Sequence, residues 1–165
     1  MQHLLRREET LDTTQLGDLA EQPQRAARLV LAAAANGEIE AQALLGQILL
    51  EGYGIQADPT LALTWFDIAA ERGHAMACNM AGRCHEHGWG CTADTKRAAD
   101  YYRRAADLGL DWGMYNLANL LATGRGVVKD HTTAYRLYRQ AAELGHAKSM
   151  NLTGRCLEDG DRKST

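Results

Sequence analysis

The 165-residue chain has only two prolines, Pro23 and Pro59, one phenylalanine, Phe66, and few β-branched residues beside its alanine, leucine, arginine and glutamate. Sheets lose their best side chains and helices keep theirs, so the composition predicts an all-α protein. Charge of one sign is also missing: 18 lysines and arginines face 21 aspartates and glutamates, for a formal charge of -3. That balance offers no general attraction to polyphosphate and no local basic patch replaces it, so nucleic acid is not an expected partner. No run of about 18 apolar residues occurs, so no membrane span is expected. The opening residues carry Arg6, Arg7, Glu8 and Glu9 where a signal peptide needs a hydrophobic stretch. The expected compartment is therefore the cytoplasm. Four cysteines, Cys78, Cys84, Cys91 and Cys156, are unevenly spread, and an even number alone makes no disulfide framework. The length suits one domain with a sizeable core.

What the sequence does have is a period. Gly52, Gly88, Gly124 and Gly160 stand 36 residues apart, and so do Gly54, Gly90 and Gly126, then Asp58, Asp94 and Asp130. The same step links Ala62, Ala98 and Ala134, the pairs Ala69-Ala70, Ala105-Ala106 and Ala141-Ala142, the turn glycines Gly73, Gly109 and Gly145, and the aromatic column Phe66, Tyr102, Tyr138. A fixed period of this size reads as a solenoid, each unit burying its apolar face on its neighbours. Full units span about 39-74, 75-110 and 111-146. Each splits into a helix A that stops at Gly-x-Gly, where glycine can take the left-handed conformation, and a helix B that starts after a capping Asp and runs to the turn glycine. Pro59 follows Asp58 at the first helical position, where proline fits. Extended backwards, the period makes residues 24-36 an isolated helix B; extended forwards, Met150 to Glu158 fills helix A columns. The expected division is a divergent N-terminal cap over 1-23, the solenoid over 24-160 with partial units at both ends, and a polar tail over 161-165. Asp159 to Arg162 has lost the loop aromatic and the second glycine, which favours a polar cap over a chain cut from something longer.

The pattern Ala41, Leu45-Gly46, Gly52 to Ile55, Asp58, Ala62, Trp65-Phe66, Ala69-Ala70 and Gly73-His74 resembles the Sel1-like repeats, relatives of the tetratricopeptide repeats. The resemblance covers roughly residues 24-160, and it departs at Gly113 for the first alanine, Ala118 for the helix A glycine and Leu137 for the first aromatic. It implies a right-handed α/α solenoid of antiparallel helix pairs, and a non-enzymatic adaptor that binds a protein or peptide without a cofactor; the functional part is analogy. Some secreted relatives carry a disulfide from the end of helix B to the next helix A. Cys78 matches one end of it, but the other end here is Ala70.

Sites of chemistry are few. The Gly-x-Gly loops follow helices and recur in every unit, so they are turns and not phosphate cradles. Cys84, His87 and Cys91, with Cys78 and His85 nearby, have spacing that suits Zn²⁺. Yet Cys84 shares a column with Ile48 and Leu120, Cys91 with Ile55 and Val127, and Cys78 with Met114 and Met150, so the cysteines read first as small apolar side chains and no metal is assigned. His74 and His146 recur in equivalent turns as a packing feature. No HExxH, GxSxG, phosphate loop or nucleophile beside a base is found, so no catalytic residue is expected.

Variable columns of helix A are the remaining candidates for recognition. Steps of three and four place Glu40, Ala43, Gln47 and Glu51 on one face, then Met76, Asn79, Arg83 and His87, then Trp112, Tyr115, Asn119 and Thr123, then Lys148, Asn151 and Arg155. By resemblance helix A lines the concave side. Asn79, Arg83, Trp112, Tyr115, Asn119, Asn151 and Arg155 are thus the expected partner-binding residues, with amide and guanidinium donors for an extended segment rich in carbonyls and carboxylates. Burial of Trp112 and Tyr115 against the neighbouring unit is the alternative. Two other functions stay open: a thiol- or metal-responsive regulator built on Cys78 to Cys91, and an immunity or adaptor protein of a secretion system.

Overall fold

Three aspartates set the starts of three helices. The Asp58, Asp94 and Asp130 carboxylates accept the backbone N–H of Leu61, Arg97 and Thr133 at 3.0, 3.1 and 3.0 Å, filling donors that the first turn of a helix leaves open. The N–H of each same aspartate turns back to donate to a carbonyl of the preceding helix, Leu49, His85 or Leu121, at 2.9, 2.7 and 2.9 Å. Each loop is therefore closed at both ends by one residue.

The structure, a computed structural model, describes residues 22–163, with side chains as far as Arg155. In order the helices are α1 Pro23–Ala35, α2 Ile39–Glu51, α3 Pro59–Glu71, α4 Ala75–His87, α5 Thr95–Asp107, α6 Asp111–Thr123, α7 His131–Glu143 and α8 Ala147–Lys163. Each packs on the helices before and after it in the chain, which is the nearest-neighbour logic of a solenoid. Helices α2, α4, α6 and α8 are the A helices and α1, α3, α5 and α7 the B helices. Among the described residues no strand occurs and no helix is long and apolar enough to cross a membrane. The expected cap over 1-23 lies outside the described residues as far as residue 21. The expected end of the solenoid at 160 falls inside α8, which runs unbroken to Lys163. With one glycine of the Gly-x-Gly pair missing, nothing there turns the chain.

The two glycines of that loop do different jobs. Gly52, Gly88 and Gly124 end the A helices at φ 74°, 74° and 69°, a left-handed region costly for other residues. The second glycine is a contact point: a Cβ on Gly90 would lie 2.3 Å from the Pro59 carbonyl oxygen, at the start of the previous helix B. Consecutive loops thus stack on consecutive B helices.

Small residues let the helices approach. Ala69, Ala105 and Ala141 are fully buried, and Gly113 is required where α6 crosses α5, since a Cβ there would fall 2.6 Å from the Cβ of Ala105. Inside the first two units the helix A glycine receives the helix B aromatic. A Cβ on Gly46 or Gly82 would sit 2.6 Å from ring carbons of Phe66 or Tyr102, and those rings are 1% and 0% exposed. In the third unit Ala118 already carries that methyl. Tyr138 is only half-buried there, and its hydroxyl donates to Asn119 Oδ1.

Candidate partner-binding face

The A helices gain a second kind of cap from the turn histidines. His74 Nδ1 accepts the Ala77 N–H at 3.0 Å, and His146 Nδ1 accepts the Ser149 N–H at 3.3 Å while lying 2.9 Å from its hydroxyl. Leu110 cannot cap at the equivalent place, and there the Asp111 carboxylate takes the Trp112 N–H at 2.8 Å. The recurrence of histidine in these turns is therefore a helix-start device as well as packing.

Of the seven residues expected on the helix A face, Asn79 is corrected. It is 3% exposed, and its side-chain oxygen accepts from Asn116 Nδ2 at 2.8 Å. A buried amide must find a partner, and Asn79 finds it on the next A helix, so it joins units and faces no solvent. Arg83 is half-buried, its guanidinium 5.3 Å from the centre of the Trp89 ring. Asn119 is held by Tyr138. Asn151 and Arg155 are exposed on α8.

Trp112 and Tyr115 belong to a cluster that crosses from α6 to α8. Trp112 is 39% exposed and meets Tyr115 edge-on at 6.0 Å and His146 edge-on at 4.4 Å. Tyr115 also lies 4.8 Å from His146 and 5.9 Å from Tyr138. The Lys148 ammonium stands over both rings, 5.6 Å from Trp112 and 6.0 Å from Tyr115, an arrangement attractive through the ring quadrupoles. Burial lowers the His146 pKa, Lys148 lowers it further, and Asp111 opposes them. His146 is thus a neutral wedge under the two aromatics. Lys148 lies in the helix A stripe of the sequence pattern, His146 stands out there only as a packing residue, and Asn116 has no signal in it. The Gly-His column is the available sign for His146.

The cysteine cluster does not assemble as its spacing suggests. Cys84 is fully buried, its thiol pushed up to about 12 chiefly by desolvation. His87 turns to Trp89, 4.7 Å between ring centres. Cys91 Sγ instead faces His85 Nδ1 at 3.5 Å. Cys78 is buried against the Ala70 carbonyl, with its Sγ 3.9 Å away. Among the described residues no group of three or more His, Cys, Asp or Glu converges as a metal cage would require.

A family model of the Sel1 repeat matches residues 39–74, 75–110 and 113–146, which is more than half of the chain. Among solved structures the chain is similar to c5321, a protective antigen of uropathogenic Escherichia coli strains displaying an SLR fold, at 30% identity and a TM-score of 0.78 over 84% of this chain and 30% of that one. It is similar to a Sel1 repeat protein from Oxalobacter formigenes at 28% identity and a TM-score of 0.76, over 81% of this chain and 54% of the other. Helicobacter pylori cysteine rich protein B shares the fold, at 23% identity and a TM-score of 0.63, over 76% of this chain and 96% of that one. The chain therefore spans about a third to a half of the first two relatives. No curated protein sequence matches it significantly. The match falls on the three full units that the period, the loop glycines and the capping aspartates mark out, and the chain belongs to the Sel1 repeat family.

Proposed function

We propose that this chain is a non-enzymatic scaffold that holds an extended segment of a partner protein on its concave helix A face, in the cytoplasm. Sel1 repeat proteins are generally protein-interaction scaffolds on a non-catalytic fold; the partner segment and the face are the proposal. The observation that carries it is the Trp112, Tyr115 and Lys148 cluster. A tryptophan left 39% exposed, propped by a buried histidine and next to a lysine, is a rigid anchor of the kind that dominates protein interfaces. Arg83, Asn119, Asn151 and Arg155 extend the face with donors, so the favoured segment presents carbonyls and carboxylates. Asn79 is excluded from the set by its burial.

A peptide library displayed on phage and selected on the immobilised protein supplies ligands directly, whatever the natural partner. Selected peptides should be enriched in Asp and Glu beside an apolar residue. Hydrogen exchange with such a peptide bound should slow amides of α6 and α8 more than those of α5 and α7. Protection confined to the B helices would refute the assignment of the face.

A further inference from the structure

The second unit departs from its neighbours at four positions that meet in one place. His85 occupies the column of Leu49 and Leu121, and Cys91 that of Ile55 and Val127. Lys96 stands with Thr60 and Thr132, and Arg97 with Leu61 and Thr133. All four line a cleft of ≈ 550 Å³ between the end of α4 and the start of α5, together with Thr92, Asp94 and Thr95. The fold asks for apolar or neutral side chains here, as its other units show, and this unit supplies a thiol, an imidazole and two cations.

The imidazole is expensive to keep. His85 is 5% exposed, stacked on Tyr101 at 5.3 Å and 12°, and its Nε2 is buried with no hydrogen-bond partner. A leucine would bury the same volume without leaving a polar atom unsatisfied. Its other nitrogen, Nδ1, is directed at Cys91 Sγ, 3.5 Å away. The Cys91 thiol has one further acceptor in reach, the Cys84 carbonyl at 3.6 Å. Cys91 is partly exposed, whereas Cys78 and Cys84 are sealed in the core.

We propose that Cys91 is a modification site at which a small anionic disulfide of the glutathione type exchanges with the thiol, with His85 as the proton acceptor and Lys96 and Arg97 as the anion-binding rim. The Cys91 S–H proton passes to His85 Nδ1 as Sγ attacks one sulfur of the disulfide. A new S–S bond forms, the old one breaks, and the departing thiolate takes the proton back from the imidazolium and leaves as a thiol. Cys91 is oxidised, the departing sulfur is reduced, and no other reagent is consumed. Desolvation lowers the His85 pKa and leaves the ring neutral and able to accept. Desolvation also raises the Cys91 pKa, so the resting group is a thiol that gains from a base beside it. Arg97 favours its thiolate, while Asp67 and Asp94 oppose it.

Fully reduced protein is incubated with oxidised glutathione, or with the neutral bis(2-hydroxyethyl) disulfide, and adducts are located by peptide mass mapping over time. Adducts should form on Cys91 ahead of Cys78 and Cys84. Cys91→Val, which installs the residue type of the other units, should abolish the early adduct. His85→Leu should slow it about tenfold or more with either disulfide, and the deficit should close as pH rises through the Cys91 pKa, where the base is no longer needed. Lys96→Thr with Arg97→Thr should slow oxidised glutathione only. Equal rates for Cys91 and the buried cysteines, or an unchanged rate in His85→Leu, would overturn the proposal; equal effects of the charge changes on both disulfides would overturn its anionic rim. Circular dichroism checks each variant, with His85→Gln as the substitute if His85→Leu fails to fold.

Discussion

Gly82→Ala should destabilise the protein even though alanine is the better helix former. An unhindered Gly→Ala change inside a helix gains about 1 kcal/mol. At Gly82 the new Cβ would lie 2.6 Å from both Cδ1 and Cε1 of Tyr102, well inside contact distance. Tyr102 is wholly buried, and its hydroxyl donates to Glu86 at 2.7 Å, so the ring cannot retreat without losing burial and bond together. Overpacking of this kind costs about 1–3 kcal/mol. The net expected loss is therefore roughly 0–2 kcal/mol, or up to about 8 °C in Tm at this chain length. Gly154→Ala is the matched control: it lies inside α8, where an added Cβ would meet nothing within 4 Å, and it should gain up to about 1 kcal/mol. The third unit shows the outcome in place, since Ala118 coincides with a Tyr138 that is only half-buried. Thermal and urea unfolding followed by circular dichroism compare the two variants. Equal stabilisation by both would refute the glycine–aromatic seat as the packing unit of the repeat.

Asn116→Ala should cost about 1–3 kcal/mol in urea unfolding by stranding the buried Asn79 amide, while Asn79→Leu with Asn116→Leu should recover part of that loss; additive single effects would argue against the inter-unit bond. His85 and His146 have folded pKa values lowered chiefly by burial, so the unfolded chain binds protons more readily. Their contribution is present above the unfolded histidine pKa, near 6.5, and declines as pH falls below it. The urea midpoint of the wild type should drop more than that of His85→Leu between about pH 7.5 and 5.5, and parallel drops would contradict the burial argument. Arg103→Ala and Arg139→Ala, which break the exposed pairs with Asp100 and Glu143, should each shift stability by less than about 1 kcal/mol.

The period is legible in the sequence because the same backbone problem is solved the same way in every unit. Asp58, Asp94 and Asp130 each close a loop, Gly90 and its counterparts each touch the previous helix B, and columns of small residues mark close contacts. Single-unit features are harder to read. Asn79 varies between units and carries an amide, which makes it look exposed, but its partner Asn116 stands on a different helix and only packing brings the two together. The metal-like spacing of Cys84, His87 and Cys91 ignores which face each occupies; it is His85, one position after Cys84, and not His87 that faces Cys91. His146 reads as packing in a turn, and its contact with the Trp112 ring appears only once the turn before α8 is placed beside α6. Gly160, without the second loop glycine, lies inside the last helix.

If recognition uses the helix A face, affinity for a selected peptide must depend on the side chains displayed there. Isothermal titration compares wild type with alanine variants at Arg83, Trp112, Tyr115, Asn119, Lys148, Asn151 and Arg155, and with Arg103→Ala and Arg139→Ala on the B helices as controls. Trp112→Ala should weaken binding by about thirtyfold, equivalent to roughly 2 kcal/mol, as expected for a central aromatic anchor. The exposed α8 positions should have smaller effects and the controls none. Loss of binding in the helix B variants with full binding in Trp112→Ala would place recognition on the helix B face instead.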